Sequence, residues 1–137
     1  MPSATLVKKE EKEEALLGTI RMKIVRIYNK FGAFRHEKKL KDPKRFLEGV
    51  IKLLYKVSKQ VELAVEKAER LHEPELVRML NITFKRLEIA HGFCLDMYRG
   101  KGDYRHNASE ANSFIEGAMV SAATAEQIQE RLIKSAA

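Results

Sequence analysis

The chain has 137 residues, 45% hydrophobic and 33% charged, with 26 Lys and Arg against 19 Asp and Glu for a net charge of +7. That length suits one core, that apolar content excludes a disordered chain, and the lone Cys94 excludes an internal disulfide. No run of about 18 apolar residues offers a membrane span and "MPSATLVKKEEKEE" lacks the apolar segment of a secretory signal, so the expectation is one cytoplasmic domain with a charged, flexible tail over about residues 1–12.

Helix one is predicted along "EEALLGTIRMKIVRIYNKFGAF". There Leu17, Ile20, Ile24, Ile27, Tyr28, Phe31 and Phe34 recur every three or four positions, the repeat that lays one apolar face along a helix. Glu10, Glu11, Glu13 and Glu14 suit the positive end of the helix dipole, and the helix is expected to end near Phe34. Asp42 and Pro43 supply a cap residue and a first-turn proline, so helix two starts there. Its seam, Leu47, Val50, Leu54, Val57, Val61, Ala64, Ala68 and Leu71, alternates steps of three and four, the heptad pattern of lengthwise packing. Such a seam serves a partner helix in the same chain or in another.

Pro74 opens helix three, which is expected to reach Tyr98. It carries two apolar stripes: Val77, Leu80, Phe84, Leu87, His91, Cys94 and Tyr98 on one, Met79, Ile82, Ile89 and Phe93 on the other. A helix apolar on two sides is the most enclosed of a bundle or touches a second subunit as well. "RGKGDYRHN" is dense in turn formers, and Asn107 with Glu110 is predicted to form a capping box for helix four. Helix four is rich in small residues, Gly117, Ala118, Ser121, Ala122, Ala123 and Ala125, which let backbones approach closely, and Thr124 with Gln127 predicts a short terminal fifth helix ending near Lys134. With no alternating β pattern, the fold class is all-α: a bundle of four main helices, long and antiparallel.

The charge is concentrated in one stretch. Residues 19–60 are net +10, while residues 1–18 are −1 and residues 61–137 are −2. Lys23, Arg26 and Lys30 share a stripe of helix one away from its apolar face, and Lys52, Lys56 and Lys59 do the same on helix two. Arg35, Lys38, Lys39, Lys41, Lys44 and Arg45 fill the connection between them. In an antiparallel hairpin these groups meet along one edge, which attracts phosphates and releases counterions. The competing reading, solvated faces paired with acids, has only Glu37, Asp42 and Glu48 to draw on within this stretch. The expected function is therefore a non-catalytic protein that binds RNA or DNA through backbone phosphates. The alternative is a structural or adaptor subunit that assembles through its helix seams, as a homo-oligomer or with a helical protein partner. The abundance of Lys, Arg and Glu also suits a thermophile.

In "KRLEIAHGFC", Arg86 and His91 stand with four residues between them, a spacing that resembles the ribonuclease signature of HEPN domains. The resemblance covers six residues and implies a helical protein that cleaves RNA as a dimer, with Arg86 and His91 catalytic. By the helical period alone, five positions at roughly 100° each separate the two side chains by about 140° around the axis. The residue after Arg86 is the apolar Leu87, where the signature usually has a polar one, and the residues by themselves read as helix core. The sequence predicts no metal and no cofactor: His36, His72, His91 and His106 fall in different elements, and the Glu88-to-His91 step of a carboxylate-bridged metal pair occurs once.

Overall fold

A computed structural model describes the backbone of residues 4–36 and 43–136 and the side chains of residues 16–32 and 43–135. The chain forms α1 (Ala4–His36), α2 (Pro43–Arg70), α3 (Pro74–Arg99) and α4 (Tyr104–Ala136), with no strand among the described residues. Each helix packs on two neighbours in the ring α1, α2, α3, α4, and among the described residues no diagonal pair packs backbone to backbone. Cross-helix contacts set the directions. On α3 and α4, Glu75 faces Arg131, Thr83 meets Ser121 and Arg86 meets Gly117, so residue numbers rise along one helix as they fall along the other. Lys23 bonds Gln60 across α1 and α2, and Arg21 pairs with Glu126 across α1 and α4. This is the up-down-up-down course that short turns impose on a four-helix bundle.

The core is built by the seams. Leu17, Ile20, Ile24, Ile27 and Phe31 of α1 are buried, as are the predicted residues of α2 from Leu47 to Ala68, with Leu71 half-buried at the end. On α3 the buried line runs between the two expected stripes: Leu76, Leu80, Thr83, Leu87, Ala90, Cys94 and Met97. Val77, Phe84, His91 and Tyr98 flank it on one side and Met79 and Phe93 on the other, all half-buried, while Ile89 is exposed. One broad face of α3 is enclosed rather than two opposite ones. The small residues Thr83, Ala90 and Cys94 take the middle because α4 presses there with an equally small seam, Ala108, Ala111, Ala118, Ala122 and Ala125. The hydroxyls of Thr83 and Ser121 meet 2.6 Å apart inside this contact, which satisfies two polar groups that burial would otherwise penalise.

Helical backbone runs from Ala4, so the charged segment over about residues 1–12 overlaps α1. Two expectations are corrected at the helix ends. Helix four starts at Tyr104 rather than after Asn107, because Asp103 is its cap: Asp103 Oδ1 accepts the His106 N–H at 3.1 Å. Asn107 instead turns back and donates from Nδ2 to the Lys101 carbonyl at 2.8 Å, pinning the turn. The fifth helix does not exist as a separate element. The Thr124 hydroxyl donates to the Val120 carbonyl, one turn back, and the buried Ala125, Ile128 and Gln129 carry the seam on, so α4 continues to Ala136. The expected Asp42 cap and the packing of Phe34 lie outside the described residues.

The two described turns close alike. Glu73 N–H reaches the Ala68 carbonyl while His72 N–H reaches that of Glu69, and Lys101 N–H reaches Asp96 while Gly100 N–H reaches Met97. Both are Schellman closures, which need a left-handed residue; Gly100 adopts φ 70° without steric cost, and His72 adopts φ 55° against it.

Gln129 is the one exception in the lower core. It is 1% exposed, its Nε2 has no hydrogen-bond partner among the described residues, and it lines a small void with Leu16, Leu17, Ala64, Lys67, Ala68, Leu76 and Leu80. A buried amide without a partner costs about 1–3 kcal/mol. Gln129→Leu is therefore expected to raise the thermal midpoint by several degrees in a calorimetric scan, and an unchanged or lower midpoint would show that the amide is satisfied.

Candidate nucleic-acid interface

The basic side chains of α1 and α2 do not merely share a stretch of sequence. On α1, Lys23 marks the flank that faces α2, because its Nζ donates to Gln60 Oε1 at 3.1 Å. At 100° per residue, Lys30 lies about 20° and Arg26 about 60° from Lys23 around that helix. On α2, Gln60 marks the flank that faces α1, and Lys56 lies about 40°, Arg45 about 60° and Lys52 about 80° from it. The acids of α2, Glu48, Glu62, Glu66 and Glu69, lie about 120° or more away, toward α3. Arg45, Lys52 and Lys56 thus lean toward α1, while Lys59 and Lys44, about 100° and 160° from Gln60, lie among the carboxylates.

Individual predicted residues differ in what they touch. Arg26, Lys30 and Lys56 are exposed and make no ion pair among the described residues. Lys52 reaches Glu48 at 3.3 Å, an exposed pair of little strength. Lys59 turns toward α3: it pairs with Glu62 at 3.3 Å, sits 5.5 Å from the centre of the Tyr55 ring, and its ammonium is held above the ordinary lysine value by the Glu62 hydrogen bond and charge, with Tyr55 and Glu88 adding. Lys44 lies over the Tyr98 ring at 5.4 Å. The side chains of Arg35, Lys38, Lys39 and Lys41 lie outside the described residues. The helical count therefore puts Lys23, Arg26, Lys30, Arg45, Lys52 and Lys56 on or near the flanks of α1 and α2 marked by the Lys23–Gln60 contact, with Lys59 about 20° beyond Lys52 and engaged by Glu62.

Sequence reasoning missed a further basic group. Antiparallel topology brings the α3–α4 turn to the same end as the α1–α2 connection, and Lys44 over Tyr98 is where they touch. Arg99, Lys101, Arg105 and His106 are exposed there, although they belong to the part of the chain that is net negative overall. The missed signal was the topology itself, since an up-down bundle places alternate turns at one end.

Arg86 and His91 are not brought together. The Arg86 guanidinium donates to the Gly117 carbonyl at 2.7 Å, with its stem across Gly117, where a Cβ would come within 3.2 Å of Arg86 Cδ. His91 is half-buried around the other side of α3, and burial holds its imidazole below the ordinary histidine value against the opposing charge of Glu88. No group of three metal-binding side chains occurs among the described residues, nor does any helix there have the length and apolarity to cross a membrane. Cys94 is fully enclosed, and burial pushes its thiol up to about 12. It should resist alkylation in the native protein near about pH 8 and react only after denaturation, as mass spectrometry of the iodoacetamide adduct would show. Rapid native labelling would mean that the α3–α4 contact opens readily.

No family model matches this chain, and no curated protein sequence or solved structure shows significant similarity to it.

Proposed function

We propose that this protein is a non-catalytic nucleic-acid-binding bundle that holds backbone phosphates along the α1–α2 edge and the connection between those helices. The observation that carries the reading is the Lys23–Gln60 contact, which sets the flank of α1 bearing Arg26 and Lys30 beside the flank of α2 bearing Arg45 and Lys56. Bases of two helices then lie along one edge of the bundle. Closely spaced like charges raise the local potential, and a polyanion that displaces their counterions relieves it. Arg26, Lys30 and Lys56 are exposed and make no ion pair among the described residues, so none there has to be broken to bind phosphate.

The test is fluorescence anisotropy with a short labelled oligonucleotide, DNA and RNA, across a salt series. Two variants accompany the wild type: Arg26→Glu, Lys30→Glu and Lys56→Glu together, and Lys38→Glu, Lys39→Glu and Lys41→Glu together. Removing one phosphate-binding cation should lower the slope of log affinity against log salt by about 0.7–0.9. The expected result is steep salt dependence in the wild type, flattened by about two units in either variant. Absence of wild-type binding even at low salt would overturn the proposal.

A second reading, an assembly subunit, has one feature in its favour. A groove of about 710 Å³ runs along the first half of α3, lined by Pro74, Val77 and Ile82 among charged neighbours. Sedimentation velocity decides it: a species of twice or more the 15.7 kDa chain mass supports it, and a monomer at all concentrations removes self-assembly.

A further inference from the structure

Resting on the reading above, we infer that the ligand is single-stranded nucleic acid and that it continues from the α1–α2 edge over the end of the bundle, where Tyr104 stacks against a base.

Continuity comes from the contact of Lys44 with Tyr98. It joins the start of α2 to the end of α3, so the basic surface does not stop at the connection between α1 and α2. Beyond Tyr98 the chain presents Arg99, Lys101, Arg105 and His106, all exposed, within one tight turn. Asp96 is half-buried, and the carboxylate of Asp103 is engaged in capping α4. The opposite end differs. There Glu66, Glu69, Glu75 and Glu130 stand among Lys67, Arg70, Arg131 and Lys134, and Arg131 and Lys134 are paired with Glu75 and Glu130. Among the described residues charge is therefore polarised along the bundle, and a polyanion that lies on the α1–α2 edge is drawn toward the end carrying the α3–α4 turn.

The strand form follows from the aromatic that opens α4 beside that turn. Tyr104 is 45% exposed although it is a large, partly apolar side chain, and it stands between Lys101 and Arg105. Tyr104 is the first residue of α4, so its backbone is fixed by the helix start that Asp103 caps. An exposed aromatic beside cations is how proteins hold unpaired bases, because each base has a π-face whatever its identity. A duplex keeps its bases stacked on one another and offers only phosphates, which the lysines and arginines bind equally well. The exposed ring therefore favours the single strand, and the hydrogen bonding of the turn supplies rigidity: Asn107 fixes the Lys101 carbonyl and Gly100 and Gly102 hold the left-handed bends.

The experiment uses the full chain and one labelled oligonucleotide, measured alone and annealed to its complement. Four proteins are compared: wild type, Tyr104→Ala, Tyr104→Phe and the pair Lys101→Glu with Arg105→Glu. Circular dichroism melts confirm that each is folded. Arg131→Glu with Lys134→Glu at the other end serves as the charge control. The expected result is tighter binding of the single strand by the wild type, a loss of about fivefold or more in Tyr104→Ala for the single strand only, and retention in Tyr104→Phe. The Lys101 and Arg105 pair should weaken both forms and reduce the salt slope, while the control at the other end changes little. If the wild type binds both forms and Tyr104→Ala binds the single strand as well as the wild type does, the stacking inference is overturned and the phosphate-binding proposal stands. If the wild type binds neither form, the underlying proposal is overturned and this inference goes with it.

Discussion

Leu54→Ala is expected to lower the unfolding free energy by about 3–5 kcal/mol, measured as a fall in the urea midpoint with the slope of the transition unchanged. Leu54 has no exposed surface and lies midway along the α2 seam between Val50 and Val57, which are also buried. Removing its branched end deletes transferred apolar surface and leaves a void that two helices, anchored along their whole length, close only in part. Because single domains hold only about 5–15 kcal/mol of net stability, this one change would bring the bundle close to its unfolding limit. Lys56→Ala, two residues on and exposed, should move the midpoint little, and a comparable loss there would mean that the seam has been assigned to the wrong face.

The second large effect separates structure from chemistry at the Arg86 and His91 spacing. Arg86→Ala should cost about 1.5–3 kcal/mol, because the Gly117 carbonyl loses a charged donor at 2.7 Å and α4 loses the stem that covers its glycine. His91→Gln should cost little near neutral pH and should remove part of the acid sensitivity. Burial lowers the folded-state pKa of His91, so the unfolded chain takes up its proton first as pH falls past about 6.5, and the wild type loses stability there. Thermal melts of the wild type and both variants at neutral and mildly acidic pH measure each effect. Equal loss of RNA cleavage in two stably folded variants would instead identify them as catalytic and overturn the non-catalytic reading.

The buried face of α1 and α2 was legible because it depends only on local spacing. A run such as Leu47, Val50, Leu54, Val57 and Val61 has one apolar side whatever it packs against, and the structure buries that side. On α3 local spacing was not enough. Its apolar residues cover so wide an arc that two stripes can be drawn, and the principal one contains Leu80, Leu87 and Cys94 but omits Thr83 and Ala90. Those two are buried because α4 packs along α3, with Ser121 meeting Thr83, a fact about another helix. Similarly, Asn107 has the composition of a cap, yet Asp103, closer to the left-handed Gly102, takes the role.

The candidate interface divides the same way. The concentration of bases in residues 19–60 was visible from the sequence, as was their displacement from the apolar faces. That Lys59 is turned to Glu62 and away from Arg26 and Lys30, and that Arg99, Lys101, Tyr104 and Arg105 share the end of the bundle with Lys44, was not.

By itself, the sequence determined that this chain is helical, that α2 and α3 begin at their prolines, and which side of α1 and of α2 is buried. These follow from backbone hydrogen bonds that close within four residues, from the missing N–H of proline and from the 3.6-residue period. Only the tertiary structure decided the order of helices around the ring, the face of α3 that meets α4, the capture of Arg86 by Gly117 and the company each lysine keeps. Such pairings join residues tens of positions apart, and they are selected by the fit and charge of two surfaces at once, which no single helix encodes.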